Sequence, residues 1–163
     1  QIAEEAGVKR PIIRHYIGNR DDVIVAMIAR LMHAYEQEMA DLFQWKQGAS
    51  WLPVLLDDLF AVANHQEMNR NRIIGEVLVS GAERYPTAVE QFLVIYRQLI
   101  QQVADGLHKL YPHQSVERCH ETAYALFALA SGHADMYFAG IGDGYVHMAR
   151  AVADRLIAEL AQS

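Results

Sequence analysis

The chain has 163 residues, of which 52% are apolar and 21% are charged, and its net charge is −6. This composition excludes a disordered chain, and the length fits one domain or a small module joined to a larger one. The single cysteine, Cys119, excludes an intrachain disulfide and a cysteine-rich zinc finger, and it fits a reducing cytoplasm. No apolar stretch reaches the roughly 20 residues of a membrane span, so we expect a cytoplasmic protein without a membrane partner.

The first twenty residues predict two short helices joined by a tight turn. A helix over residues 2–6 is expected to stop at Gly7, because glycine readily adopts the left-handed conformation that ends many helices. A second short helix is predicted over residues 10–16. We expect Val8 and Ile13 to fill the corner between the two helices.

A long helix is predicted next, from Asn19 as its N-cap to about residue 43. Asp22 lies three residues after Asn19, which is a variant of the capping box. The apolar positions at helical spacing are Val23, Met27, Leu31, Ala34 and Tyr35. Glycine and proline breaks divide the rest of the chain at helix-length intervals. Five further helices are predicted at 51–67, 69–83, 86–110, 115–138 and 143–160.

Cationic residues cluster at the front of an otherwise acidic chain. Lys9, Arg10, Arg14 and Arg20 lie within residues 7–20, a segment that contains no acidic residue. A basic patch on an acidic body is typical of a surface that binds a polyanion. Charge alone leaves open the alternative of a solvated cationic loop.

The front segment resembles the helix-turn-helix of the tetracycline-repressor (TetR) family of bacterial transcriptional regulators. The matching block reads IAEEAGV, then KRPIIRHYIGNRDDV, with a long helix that begins DDVIVAMIARL. It combines a turn glycine, a following apolar residue, an aromatic residue near the helix end, and Gly-Asn-Arg before an acidic pair. The chain departs from the family pattern at Ile12, where Thr is frequent, at Arg14, where Tyr is frequent, and at Ile17, where Phe is usual.

The resemblance implies an all-helical fold with two parts. Residues 1–43 would form a homeodomain-like helix-turn-helix with its connecting helix, and residues 44–163 a helical domain for ligand binding and dimerisation. The family's first helix would precede Gln1, so we expect further chain before this residue. The expected contacts to double-stranded operator DNA are Lys9, Arg10, Arg14, His15, Tyr16 and Arg20. The function implied is a regulator, most simply a repressor, that binds a palindromic operator as a homodimer and is released by a small apolar or aromatic effector.

The two C-terminal helices have the composition of a subunit interface, because small residues that permit close approach alternate with large apolar ones. The expected dimer contacts are Tyr124, Ala128, Ser131, Gly132, Tyr145, Met148, Val152 and Leu156. The expected effector-lining residues are Phe60, Met68, Leu78, Phe92, Tyr96, Tyr124, Phe127 and Met136. Apolar walls are typical of small-molecule sites, although the same residues also fit an ordinary core.

Signatures of catalysis and of metal binding are lacking in the sequence. No GxSxG, phosphate-binding loop or HExxH pattern occurs, and a cysteine in a helix body favours an inert core residue. The pairs Asp21/Asp22 and Asp57/Asp58 fit helix-dipole partners or surface charge. We therefore expect no enzyme, cofactor or metal. The alternative function is an all-helical small-molecule-binding enzyme or interaction domain that does not bind DNA.

Overall fold

A computed structural model describes residues 2–5, 7–45, 51–60, 82–141 and 145–162. Within these ranges the chain forms helices and no strand, which confirms the all-helical prediction for the described part. The helices are α1 (Ile2–Glu5), α2 (Arg10–Tyr16), α3 (Arg20–Trp45), α4 (Trp51–Phe60), α5 (Pro86–Leu110), α6 (Val116–Phe138) and α7 (Val146–Gln162). None of these helices combines the length and the apolar character that a membrane span requires. Most of the helix predicted for 69–83 lies outside the described residues.

Side-chain caps determine where α3 and α6 begin. The Asn19 side-chain oxygen accepts hydrogen bonds from the N–H groups of Asp21 (2.7 Å) and Asp22 (3.1 Å). The Asp22 carboxylate in turn accepts the Asn19 N–H at 2.8 Å, so the predicted capping box is complete. At α6, the Ser115 hydroxyl accepts the N–H of Arg118 at 3.0 Å. Both caps satisfy N–H groups that have no partner within their own helix.

Glycine in the left-handed conformation ends α1, as predicted. Gly7 has a φ of 64°, and its N–H donates to the Glu4 carbonyl at 3.1 Å. The N–H of Val8 donates to the Ala3 carbonyl at 2.9 Å, which completes a Schellman motif. This motif turns the chain sharply, and α2 begins a few residues after the turn.

The main core lies among α4, α5, α6 and α7. It is built from the following buried residues: Trp51, Leu52, Leu55, Leu56, Phe60, Leu99, Ile100, Val103, Ala104, Leu107, Cys119, Ala123, Leu126, Phe127, Ala130, Ala149, Ala153 and Leu160. A side chain at Gly106 would place its Cβ 2.7 Å from the Trp51 ring, so glycine leaves the room that this ring needs against α5. At the far end of the core, the Gln114 side-chain amide donates to the Leu160 carbonyl at 2.8 Å.

A second cluster joins α3 to the start of α5. Its buried members are Ile28, Met32, Ala88 and Phe92. The buried stripe of α3 differs from the predicted one, because Met27 is 48% exposed while Ile28 takes the interior position. This cluster packs α3, the long helix that follows the two short N-terminal helices, against α5.

Candidate functional site

The predicted DNA-contacting residues all lie on the surface, between Lys9 before α2 and Arg20 at the start of α3. We call Lys9, Arg10, Arg14, His15 and Arg20 the basic corner; each of them is exposed. No residue of α2 is fully buried, and all of its residues except the half-buried Ile13 are exposed. Arg14 and His15 lie in its last turn, and Lys9 is its N-cap residue. The five side chains of the basic corner are therefore all exposed, on α2, on its N-cap residue and on the first residue of α3.

Apolar residues of the front are less enclosed than the sequence predicts. Val8 was expected to fill the corner, but it is exposed, and Ile13 is half-buried. Tyr16, an expected phosphate contact, is exposed and its ring lies edge-on to the His15 ring at a centroid distance of 4.9 Å. Among the residues of this segment whose burial is described, Ala3 is buried. The described part of the corner is held by its backbone turn together with the burial of Ala3 and the partial burial of Ile13.

A carboxylate at the start of α3 connects the basic corner to the body. One oxygen of Asp21 accepts hydrogen bonds from the Arg84 guanidinium at 2.8 Å and from the Tyr85 hydroxyl at 3.1 Å. The hydrogen bond from Arg84 holds the pKa of the Asp21 carboxyl below its ordinary value, and the nearby charge of Arg20 acts in the same direction. Asp21 is therefore ionised at neutral pH. The Arg84 side chain also lies over the Tyr85 ring, 5.6 Å from its centroid.

Three of the predicted effector-lining residues form an aromatic group between α5 and α6. The Tyr96 ring stacks on Phe92 with a centroid distance of 5.3 Å and meets the edge of Phe127 at 5.4 Å. The Tyr96 hydroxyl shares a hydrogen bond of 3.1 Å with the hydroxyl of Ser131. Burial raises the pKa of the Tyr96 phenol, so this group remains protonated and can donate. Phe60 is buried in the main core.

The other predicted lining residues do not join this group. Tyr124 and Met136 are 61% and 60% exposed, so they lie on the surface rather than on an interior wall. The reason is their position around α6, whose buried face is formed by neighbours such as Ala123 and Phe127. Met68 and Leu78 lie outside the described residues.

Most of the predicted dimer contacts are exposed, but Leu156 packs against the main core. Tyr124, Ala128, Ser131, Gly132, Tyr145 and Met148 are exposed, and Val152 and Leu156 are half-buried. Tyr124, Ala128 and Ser131 follow one another at helical spacing and share one face of α6. Large apolar side chains thus project outward from the two helices on which a subunit interface was predicted.

The described residues contain no group of three or more His, Cys, Asp or Glu side chains placed to hold a metal ion. Cys119 is buried, and burial raises the pKa of its thiol, which disfavours the reactive thiolate. His133 is also buried, and its Nε2 atom has no hydrogen-bond partner among the residues that the structure describes. Burial lowers the pKa of this imidazole and keeps it neutral.

Sequence reasoning did not find the contact of Asp21 with Arg84 and Tyr85. The sequence assigns the Asp22 carboxylate to the capping box with Asn19, and it offers Asp21 only a helix-dipole or surface role. Arg84 and Tyr85 stand directly before Pro86, at a predicted break between helices. An arginine and a tyrosine at such a break suggest a polar contact, but the residue spacing does not indicate that Asp21 is their partner.

Comparison with known proteins yields no relative from which a function can be transferred. No protein-family model matches the chain, and neither a curated protein nor a solved structure matches it. A function has to be inferred from its own residues and contacts.

Proposed function

We propose that this protein is a ligand-responsive DNA-binding transcriptional regulator of the repressor type. The observation that carries the proposal is the basic corner. It gathers four permanent cations and a histidine on an accessible front segment, whereas the chain as a whole has a net charge of −6. An exposed cationic patch on an acidic protein attracts a polyanion to that patch and disfavours binding elsewhere.

The shape of α2 supports duplex DNA as the polyanion. The major groove is about 12 Å wide and admits one helix whose side chains are free to reach the base edges. An exposed helix of seven residues meets that requirement. The forked guanidinium of Arg10 or Arg14 matches the two acceptor atoms of guanine, while Lys9 and Arg20 suit phosphate contacts.

A homodimer would present two such corners to one duplex. The outward apolar side chains of α6 and α7, including Tyr124 and Met148, supply a surface that a second copy would cover. Two-fold symmetry would then place two recognition helices at half-sites about 34 Å apart, which corresponds to a palindromic operator. Sedimentation measurements test this arrangement. Met148→Lys should shift the protein toward the monomer, whereas His147→Lys on the adjacent exposed position serves as the matched control.

The aromatic group of Phe92, Tyr96 and Phe127 supports an apolar or aromatic effector. An effector releases DNA only if it binds the DNA-incompetent form more tightly than the competent one, because equal affinity shifts no equilibrium. The second cluster contains Phe92 and continues to Tyr96, so it joins this group to α3 and hence to the basic corner. A panel of aromatic compounds, screened by thermal shift and then by release of bound DNA, tests the effector.

The DNA-binding step is tested by fluorescence anisotropy with a labelled duplex over a range of salt concentrations. We expect the logarithm of the affinity to fall linearly with the logarithm of the salt concentration, with a slope of about −0.9 for each phosphate neutralised. Arg14→Ala should weaken binding by about 1–3 kcal/mol if its guanidinium reads a base. Arg97→Ala, an exposed arginine on α5, is the control and should leave binding unchanged.

Two results would contradict DNA binding. One is an affinity that does not depend on salt, and the other is an equal effect of Arg14→Ala and Arg97→Ala. Either would favour the alternative of a helical enzyme or interaction domain.

A further inference from the structure

Arg84 lies beside the basic corner although it is far from it in sequence. Its guanidinium is 2.8 Å from the carboxylate of Asp21, and 63 residues separate the two. Asp21 directly follows Arg20, the last member of the basic corner. The side chains of Arg84 and Asp21 are 57% and 44% exposed, so this ion pair faces solvent at the edge of the corner.

Asp21 on its own would oppose the binding of DNA. An ionised carboxylate next to Arg20 lies within one screening length, about 8–10 Å, of any phosphate that Arg20 contacts. Its negative charge would repel that phosphate and cancel part of the attraction from the basic corner. Arg84 supplies a positive charge in direct contact with this carboxylate and so offsets the repulsion.

We infer that Arg84 belongs to the DNA-binding surface, where it neutralises Asp21 and extends the basic corner with a cation from the body of the protein. This inference rests on the proposed function. Its content is electrostatic: the charge of Arg84 favours bound phosphate, and the charge of Asp21 disfavours it. Tyr85 donates to the same carboxylate oxygen but carries no charge, so its hydroxyl has no comparable effect on phosphate.

A purely structural role for the same contact predicts a different pattern. If the contact only fixed the orientation of the corner, then removing either Asp21 or Arg84 would weaken DNA binding, and so would removing the Tyr85 hydroxyl. The electrostatic role instead predicts effects of opposite sign for Asp21 and Arg84, with no effect from Tyr85.

The test compares Arg84→Gln, Asp21→Asn and the double variant in binding a fluorescein-labelled duplex of arbitrary sequence at low salt, about 50 mM. One unit charge about 7 Å from a phosphate in water changes affinity by about 3-fold. We expect Arg84→Gln to bind about 3-fold more weakly, Asp21→Asn about 3-fold more tightly, and the double variant like the unaltered protein. Arg84→Lys and Tyr85→Phe are the matched controls, and both should retain the original affinity.

The outcomes separate this inference from the proposed function. A gain of affinity in Asp21→Asn cannot arise from misfolding, so that variant remains informative even if Arg84→Gln is unstable. If both single variants bind DNA more weakly, or if neither changes the affinity, the inference about Arg84 is wrong. The proposed function is still supported in that case if Arg14→Ala weakens DNA binding. Salt-independent binding by the unaltered protein overturns both.

Discussion

Replacing His133 with leucine should stabilise the protein. The His133 side chain is buried in α6, at 8% exposure, and its Nε2 atom has no hydrogen-bond partner in the described part of the chain. A buried polar atom that loses its water without gaining a partner costs about 1–3 kcal/mol. Leucine removes that penalty and adds apolar surface to the interior. We expect His133→Leu to raise the free energy of unfolding by about 1–3 kcal/mol, or Tm by roughly 2–4 °C per kcal/mol.

The same substitution should also change how stability depends on pH. Burial holds the pKa of His133 below its ordinary value of 6.5, so the unfolded state binds a proton at a higher pH than the folded state does. The stability of the unaltered protein is therefore fully present above about pH 6.5 and declines as the pH falls through the lower, folded pKa. In the His133→Leu variant, the free energy of unfolding should therefore fall less as the pH is lowered.

Urea denaturation followed by circular dichroism at about pH 7.5 and pH 5.5, on either side of the ordinary histidine pKa, measures both effects. His120→Leu is the matched control, because His120 is exposed on the same helix. It should alter neither the stability at the higher pH nor the difference between the two pH values. A His133→Leu variant less stable than the original protein would refute the reasoning, since it would mean that the imidazole makes a favourable interaction.

Two further substitutions test the caps and the core. Asn19→Ala removes the acceptor for two N–H groups at the start of α3 and should lower the free energy of unfolding by about 0.5–2 kcal/mol in urea denaturation. Leu126→Ala creates a cavity at a fully buried position and should lower it by about 2–5 kcal/mol. Leu93→Ala, at an exposed position on α5, should cost under about 1 kcal/mol, and an equal loss at both leucines would contradict the burial assigned to them.

Helix positions were predictable where a local chemical signal marks an end. The capping box of Asn19 and Asp22, the cap of Ser115 and the proline at the start of α5 act within a few residues of where they stand. Their effect does not depend on the rest of the fold. The predicted bounds of α5 are therefore confirmed, and α3 is described as a helix from Arg20 to Trp45, which covers the stretch predicted to reach about residue 43.

The choice of buried face was less predictable, because it depends on what each helix packs against. The start of α3 is apolar at so many positions that several stripes fit a helical period, and the sequence does not decide between Met27 and Ile28. Tyr124 likewise stands beside residues that are buried, and its exposure follows from how α6 is rotated toward α5. The pairing of Asp21 with Arg84 joins positions 63 residues apart, and no periodicity encodes it.

The hydrogen bond from Gln114 to Leu160 has a consequence for local opening of the chain. The last turn of a helix usually frays, because its carbonyl groups have no partners within the helix. Here a side chain from the corner between α5 and α6 holds one of those carbonyls in the interior. Opening of the last turn of α7 must therefore break this hydrogen bond as well, and the amide hydrogens of that turn should exchange with solvent more slowly than those of a helix end without such a contact.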